Sequence, residues 1–180
     1  SDGRHIAAFM VCDTAVSKSA FDDFLTANPE WGQDRRETLV AEGLVTSSYL
    51  FDDKPEIMRN GSVTGVSWFA ANAYCGWLSE RLPPSLRDYE VRLPTEAEWE
   101  YGVTAPVLTG NMWEWCADPY VPLDFIHANP EAAEAISSPE RSLRGRTTPS
   151  DIAGTRASLP PEFCSSFGSF RPVIALKTTR

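Results

Sequence analysis

The amino-acid sequence predicts an α+β fold in which two main helices pack on irregular antiparallel sheets, with much loop between them. Three observations carry this expectation. Trp68, Ala71, Tyr74, Cys75 and Leu78 recur at helical spacing. Ala20, Phe21, Phe24 and Leu25 form a second, shorter apolar stripe. The last third of the chain, 142–177, alternates short apolar runs with Gly, Pro and Ser, as strands joined by turns do.

Composition narrows the class. At 180 residues the chain is expected to be a single domain, 1–180, large enough to bury most of its apolar surface without staples. A hydrophobic fraction of 42% with six Trp argues for a packed core rather than disorder. The net charge of −9 excludes nucleic acid as a partner class, since phosphate recognition needs a basic footprint. Cys12, Cys75, Cys116 and Cys164 are too few and too scattered for a disulfide framework or a zinc site, and His5 and His127 lie far apart. One or two disulfides stay open. Four buried thiols acting as small hydrophobes is the expected state. No apolar run approaches the ~20 residues of a membrane helix, so no direct span is expected. The N-terminal Ser-Asp-Gly carries no signal peptide, and an export signal is expected to have been removed or to lie upstream.

The elements follow in order. Residues 6–12 (IAAFMVC) read as a short buried strand. Residues 17–28 read as a helix capped by Ser17 or Ser19 and ended by Asn28-Pro29. Residues 32–63 are polar and mixed, with helix expected over 35–44. Ser67 begins the clearest helix, which Pro83-Pro84 stops, and its aromatic stripe reads as core. In Thr95-Glu96-Ala97-Glu98, Thr95 caps a helix N-terminus while Glu98 reaches back to the free backbone N–H. Trp99 and Tyr101 follow as bulky apolar anchors, and Trp113-Glu114-Trp115 repeats aromatics around a carboxylate. Residues 118–140, with Pro at 119, 122, 130 and 139, read as a surface excursion holding a short helix at 131–136. The clusters Asp52-Asp53 and Glu96/Glu98/Glu100 read as solvated faces, with no acid/base pair among them.

Taken together, these words are more specific than their parts. VRLPTEAEWEY at 91–101 followed by GNMWEW at 110–115 resembles the formylglycine-generating-enzyme (sulfatase-modifying-factor) domain, a member of the C-type-lectin-like fold group. Val66-Ser67-Trp68 and Ala73-Tyr74-Cys75 before it match as well, as do Leu143-Arg144-Gly145, Arg156-Ala157-Ser158 and Phe170-Arg171 after it. The resemblance runs from about residue 9 to 176. One departure is the bridge at 102–109, GVTAPVLT, which is shorter than that of the family.

The resemblance implies an activity that the residues then withhold. A family oxidase needs a reactive cysteine pair after its R-x-x-(R/K)-G-G-S motif, whose thiolates bind copper(I). The matching stretch, 144–156, contains no Cys, and Cys164 falls beyond it. No enzyme and no cofactor is therefore expected. The iron-dependent sulfoxide synthases that share this domain place their metal histidines mainly on a separate helical domain; with only His5 and His127 in this sequence, that activity is not expected. The family's structural calcium site matches here at Gly110, Met112 and Glu114, but Val107 replaces an Asn ligand. Glu114 is accordingly expected to be a buried carboxylate satisfied by backbone N–H groups or by an Arg such as Arg92 or Arg144.

The departure is local. Around 146–155 the frame words are intact, while the segment itself is small, polar or irregular. It resembles the hypervariable site of the variable proteins of diversity-generating retroelements, which display a C-terminal ligand surface on this fold. Such elements mutate adenines, and every residue from 146 to 155 can be reached from an Asn codon that way. Ser165, Ser166, Phe167 and Ser169 also pass. The resemblance makes 141–172 the variable, ligand-binding segment, with Arg146, Thr147, Thr148, Ser150, Asp151, Ile152, Gly154, Thr155, Phe167 and Ser169 as ligand-binding residues; the alternative is a drifted surface loop on an oxidase homologue that has lost its catalytic cysteines, or on an inert structural domain. Arg146 supplies a forked donor, Asp151 an acceptor, Ile152 and Phe167 apolar contact, and the hydroxyls adaptable hydrogen bonds. It further implies a protein or glycan ligand and export to a bacterial cell surface. A lipid anchor on a removed N-terminal region is one means of attachment there.

Overall fold

The structure, a computed structural model, describes residues 8–51, 61–104, 112–128, 138–145 and 155–177. Its centre is helix α3, Trp68–Ser79; the elements before it are β1 (Phe9–Val11), α1 (Lys18–Ala27) and α2 (Arg36–Ala41). Ser67 sits in extended conformation and its Oγ accepts from Ala70 N at 3.1 Å, capping α3 as its position foretells. Ala70, Ala71, Tyr74 and Cys75 are buried. The helix ends at Ser79, ahead of the prolines, where Ser79 Oγ donates to Val91 O at 3.0 Å and accepts from Val91 N at 2.6 Å. That pair of bonds ties α3 to strand β2 (Tyr89–Arg92).

Helix α1 is capped by Ser17, whose Oγ accepts from Ala20 N, and packs Phe21 and Phe24 against α3. Phe21 stacks on Tyr74 at 5.8 Å between ring centroids, and Phe170 meets Tyr74 edge-on at 5.3 Å. Such aromatic pairs add to the burial of their area. The core runs from Val16 through Tyr49, Val66 and Trp115 to Phe170.

The remaining elements are α4 (Glu96–Thr104), β3 (Trp113–Pro119), α5 (Leu123–Ala128), β4 (Arg141–Gly145), β5 (Thr155–Leu159), β6 (Gly168–Ser169) and β7 (Val173–Leu176). They form two sheets. One has three strands in the order β1-β7-β2, all antiparallel, and the other four in the order β5-β4-β3-β6. In the second, β6 runs parallel to β3, so the sheets are not wholly antiparallel as expected. The chain reaches β6 from β5 by way of residues 160–167 instead of a tight hairpin, and it therefore arrives from the far side.

Several expectations shift in detail. Strand β1 covers only Phe9–Val11 and lies at a sheet edge, with Met10 exposed, because β7 is its one neighbour. Residues 6 and 7 lie outside the described residues. Trp99 is buried, but Tyr101 is 66% exposed and meets Phe9 edge-on at 6.1 Å between ring centroids. Two residues along a helix turn a side chain about 200°, so one of the pair faces the sheet and the other solvent. The excursion after β3 holds helix α5 at 123–128, which no capping word announces; the short helix expected at 131–136 and the stretch 105–109 of the bridge lie outside the described residues. Cys12, expected to be buried, is exposed at the end of the edge strand, and all four thiols are free.

Candidate functional site

Cross-strand partners share a face of a sheet, and the register of the four-stranded sheet lines up one polar row. Arg156 lies opposite Arg144, Arg144 opposite Glu114, and Glu114 opposite Ser169. The neighbouring row ends the hairpin: Gly145 pairs with Thr155, and Trp113 with Gly168. A Cβ on Gly145 would come within 3.0 Å of the Trp113 ring, so the indole lies flat over that glycine. Residues 146–154 thus join two adjacent strand ends fixed in register.

Helix α4 covers the polar row. Its start is the capping box read from the sequence: Glu98 N donates to Thr95 Oγ1 at 3.1 Å, and Thr95 N to Glu98 Oε2 at 2.8 Å. Glu98 also takes a forked pair from Arg92, at 2.7 and 2.8 Å. Glu96 N donates to Asp118 Oδ2 at 2.6 Å, which fixes the first turn to β3.

From there Glu96 reaches both strands of the hairpin. It accepts from Arg156 Nε at 2.5 Å and Nη2 at 2.8 Å, from Arg144 Nη1 at 3.3 Å and from Ser142 Oγ at 2.6 Å. Arg144 Nη2 continues to Glu100 at 2.6 Å, and Arg156 Nη2 to Val121 O at 2.9 Å. Burial would raise the Glu96 carboxyl's pKa. The hydrogen bonds of Arg156 and Ser142 and the charges of both arginines outweigh it, holding the group below its usual value of 4.5. Glu98 is lowered in the same way, Arg92 and Thr95 overcoming burial. Asp118 is raised, because burial and the neighbouring Glu96 charge exceed its backbone hydrogen bonds.

Beside this lattice, Glu114 and Arg171 form an ion pair at 2.9 Å with side chains 4% and 2% exposed. Arg171 Nε and Trp99 Nε1 both donate to the second carboxylate oxygen, at 3.1 and 2.9 Å. Arg171 Nη1 spans to Cys12 O at 3.0 Å and to Asp13 O, so one guanidinium joins the end of β1 to β3.

This combination, a capped helix laid over a four-stranded sheet beside a second sheet and two packed helices, meets its counterpart in the comparisons with known proteins. Residues 1–107 match the sulfatase-modifying factor enzyme 1-like domain. The chain belongs to that family. It is 35% identical over 96 residues, 53% of its length, to an uncharacterized protein of Borreliella burgdorferi. That match spans only 19% of the relative's own length. Among solved structures it resembles Treponema denticola variable protein 1, with TM-score 0.60, 16% identity and coverage of 94% of this chain and 84% of that one. It also resembles CarF, with TM-score 0.57, 15% identity and coverage of 97% and 89%. These likenesses show the C-type-lectin-like fold of the formylglycine-generating type.

Within this sulfatase-modifying-factor-like domain, Glu114 stands at the position that the resemblance assigns to calcium. Its surroundings do not fit the ion. Both carboxylate oxygens are engaged by Arg171 and Trp99, and a buried guanidinium repels a second cation where calcium would need several oxygen donors. The expected partner type was correct, but the arginine is Arg171 rather than Arg92 or Arg144. Met112 is buried, and Gly110 lies outside the described residues. Among the described residues no three His, Cys, Asp or Glu side chains converge as a metal site.

Three of the four thiols, Cys75, Cys116 and Cys164, are buried. Cys164 is pushed up to about 11 by burial, and burial raises Cys75 and Cys116 further.

Arg146, Thr147, Thr148, Ser150, Asp151, Ile152 and Gly154 lie outside the described residues. Thr155 begins β5 half-buried, and Phe167 is 46% exposed beside Trp113, whose N donates to Phe167 O at 2.9 Å. Ser169 departs from the expectation of an exposed ligand contact. It is fully buried in the polar row, because its Cα partner is the buried Glu114 and strand partners face the same way. The largest correction concerns Glu96 and Glu98, which read as part of a solvated face and are instead lattice members. Glu96 and Glu100 stand four apart on one helix face, and the hairpin places Arg144 and Arg156 opposite each other. That pairing was visible only once the strands had a register.

Proposed function

We propose that this domain is a non-catalytic ligand-binding display protein, in which residues 146–155 together with Phe167 form the ligand face. The observation that carries the reading is the register Gly145 with Thr155. It gives the cysteine-free segment two anchored ends on a buried ionic lattice, and recognition residues commonly sit on segments held by such a scaffold. The absence of Cys from 144–156 supports the loss of oxidase chemistry. The structural likeness to a protein named as variable supports retroelement diversification of 146–155 as the source of the segment's unusual sequence. On this reading the ligand is a protein or glycan on another surface, met at a bacterial cell surface after export. Ser169, being buried, is removed from the ligand face.

The test is binding of the labelled domain to a glycan array and to a panel of whole bacterial and host cells. It is repeated with a nine-residue Gly/Ser stretch in place of 146–154. Binding that the replacement abolishes, with the melting temperature kept, supports the reading. Binding that survives the replacement contradicts it, and a copper-dependent oxidation of a cysteine peptide would restore the oxidase.

A further inference from the structure

The hairpin stem contains a conflict that one residue resolves. Arg144 and Arg156 are directly opposed across β4 and β5, with side chains only 3% and 13% exposed. Like charges opposite each other in a strand pair oppose pairing, and more so when water is excluded. Both guanidiniums donate to Glu96, whose side chain is 16% exposed. That carboxylate is itself held, since Glu96 N is bonded to Asp118 and the helix start is locked by the capping box. Arg144 has a second carboxylate in Glu100, but that side chain is 51% exposed and so screened by water. Among the described residues, Glu96 hydrogen-bonds to both strands.

We propose that Glu96 is a positioning residue that clamps the last two rungs of the β4–β5 stem and so isolates the fold energetically from whatever joins Gly145 to Thr155. This rests on the display reading for its purpose, though the clamp can be measured without any ligand. A scaffold that must present many sequences needs stem ends whose geometry does not depend on the sequence between them. Backbone pairing alone cannot supply this, because the opposed arginines push the strands apart. With the carboxylate in place, closing a nine-residue segment costs nearly the same loop entropy for any flexible sequence.

The experiment is a double-mutant cycle on the whole chain: wild type and Glu96→Gln, each with native 146–154 or a nine-residue Gly/Ser replacement. Amide hydrogen exchange at 143–145 and 155–157 is compared with that at 173–176 in the other sheet. In the wild-type background the replacement is expected to change stem exchange less than about threefold. Glu96→Gln is expected to accelerate it about tenfold or more, as loss of a charged hydrogen bond implies, and the replacement then adds a further acceleration beyond additivity. Exchange at 173–176 rises less than exchange at the stem in every variant. If Glu96→Gln does not fold, Arg156→Met removes one arm and enters the same cycle. Stem exchange that rises with the replacement in the wild-type background, or effects that simply add, would overturn the clamp. So would a uniform rise that includes 173–176, which marks a merely structural role. A failed ligand screen with an intact cycle would overturn the display reading alone.

Discussion

Glu96 and Arg156, separated by 60 positions in sequence, meet through two hydrogen bonds of 2.5 and 2.8 Å. The first belongs to the opening turn of α4 and the second to the edge strand of the larger sheet. Buried pairs of this kind give little net stability over a well-packed apolar pair, yet losing one partner costs about 3–5 kcal/mol because the other charge is stranded. Arg156→Met is therefore expected to lower stability by roughly 3 kcal/mol. Arg156→Lys loses the fork, which bonds through Nε and Nη2, and is expected to recover only part of that loss. Urea denaturation with an unchanged slope checks both.

The acid side of the stability profile follows from Glu96 and Glu98. Both have folded values depressed below 4.5, so their stabilisation is fully present above that value and fades as pH falls through the depressed ones. Asp118 is raised and acts in the opposite sense: its penalty is present at neutral pH and is relieved on acidification. The lowered pair predicts a loss of stability below about pH 4.5 that depends on Glu96 and Glu98. Denaturation midpoints of wild type and of Glu96→Gln/Glu98→Gln at stepped pH check this. The double variant is expected to be less stable at pH 7 and to have the shallower acid limb.

Arg171 fills the role of a cation at Glu114. Millimolar calcium or excess chelator is expected to leave the melting temperature of the wild-type domain unchanged, as read by calorimetry. Arg171→Met strands a carboxylate that is 4% exposed and is expected to cost about 3–5 kcal/mol. A calcium-dependent melting temperature in the wild type would show that the guanidinium does not exclude the ion.

Gly145 predicts a packing conflict. Its missing Cβ leaves room for the Trp113 ring, which a methyl would approach to 3.0 Å. Gly145→Ala is expected to destabilise by roughly 1–3 kcal/mol. Trp113→Ala in the same chain is expected to absorb part of that penalty, a coupling that a double-mutant cycle measures.

Much of this fold is legible in the sequence because its signals are local. Ser17, Ser67 and Thr95 each announce a helix that the structure contains, and the Thr95–Glu98 box closes as its spacing requires. Tyr101 was misjudged because a capping word gives the start of a helix but not its rotation against the sheet. The site was less legible. Glu96, Arg144, Arg156 and Ser142 come from three elements, and nothing in their local sequence distinguishes a clamp from a solvated charge. Ser169 passed a codon test that is blind to burial. Its inward orientation depends on the parallel pairing of β6 with β3, which no local pattern encodes.

On the display reading, selection for ligand acts on one segment of an otherwise fixed scaffold. Deep sequencing of the coding region for residues 66–172 across sibling clones of one population, with the adjacent DNA, tests it most directly. The expected result is substitutions at adenine-derived codons within 146–155 and at Phe167, none at Ser169, Glu96, Arg144 or Arg156, and a near-identical template repeat nearby. A uniform segment with no such repeat would contradict it, as would substitutions spread evenly through 66–117.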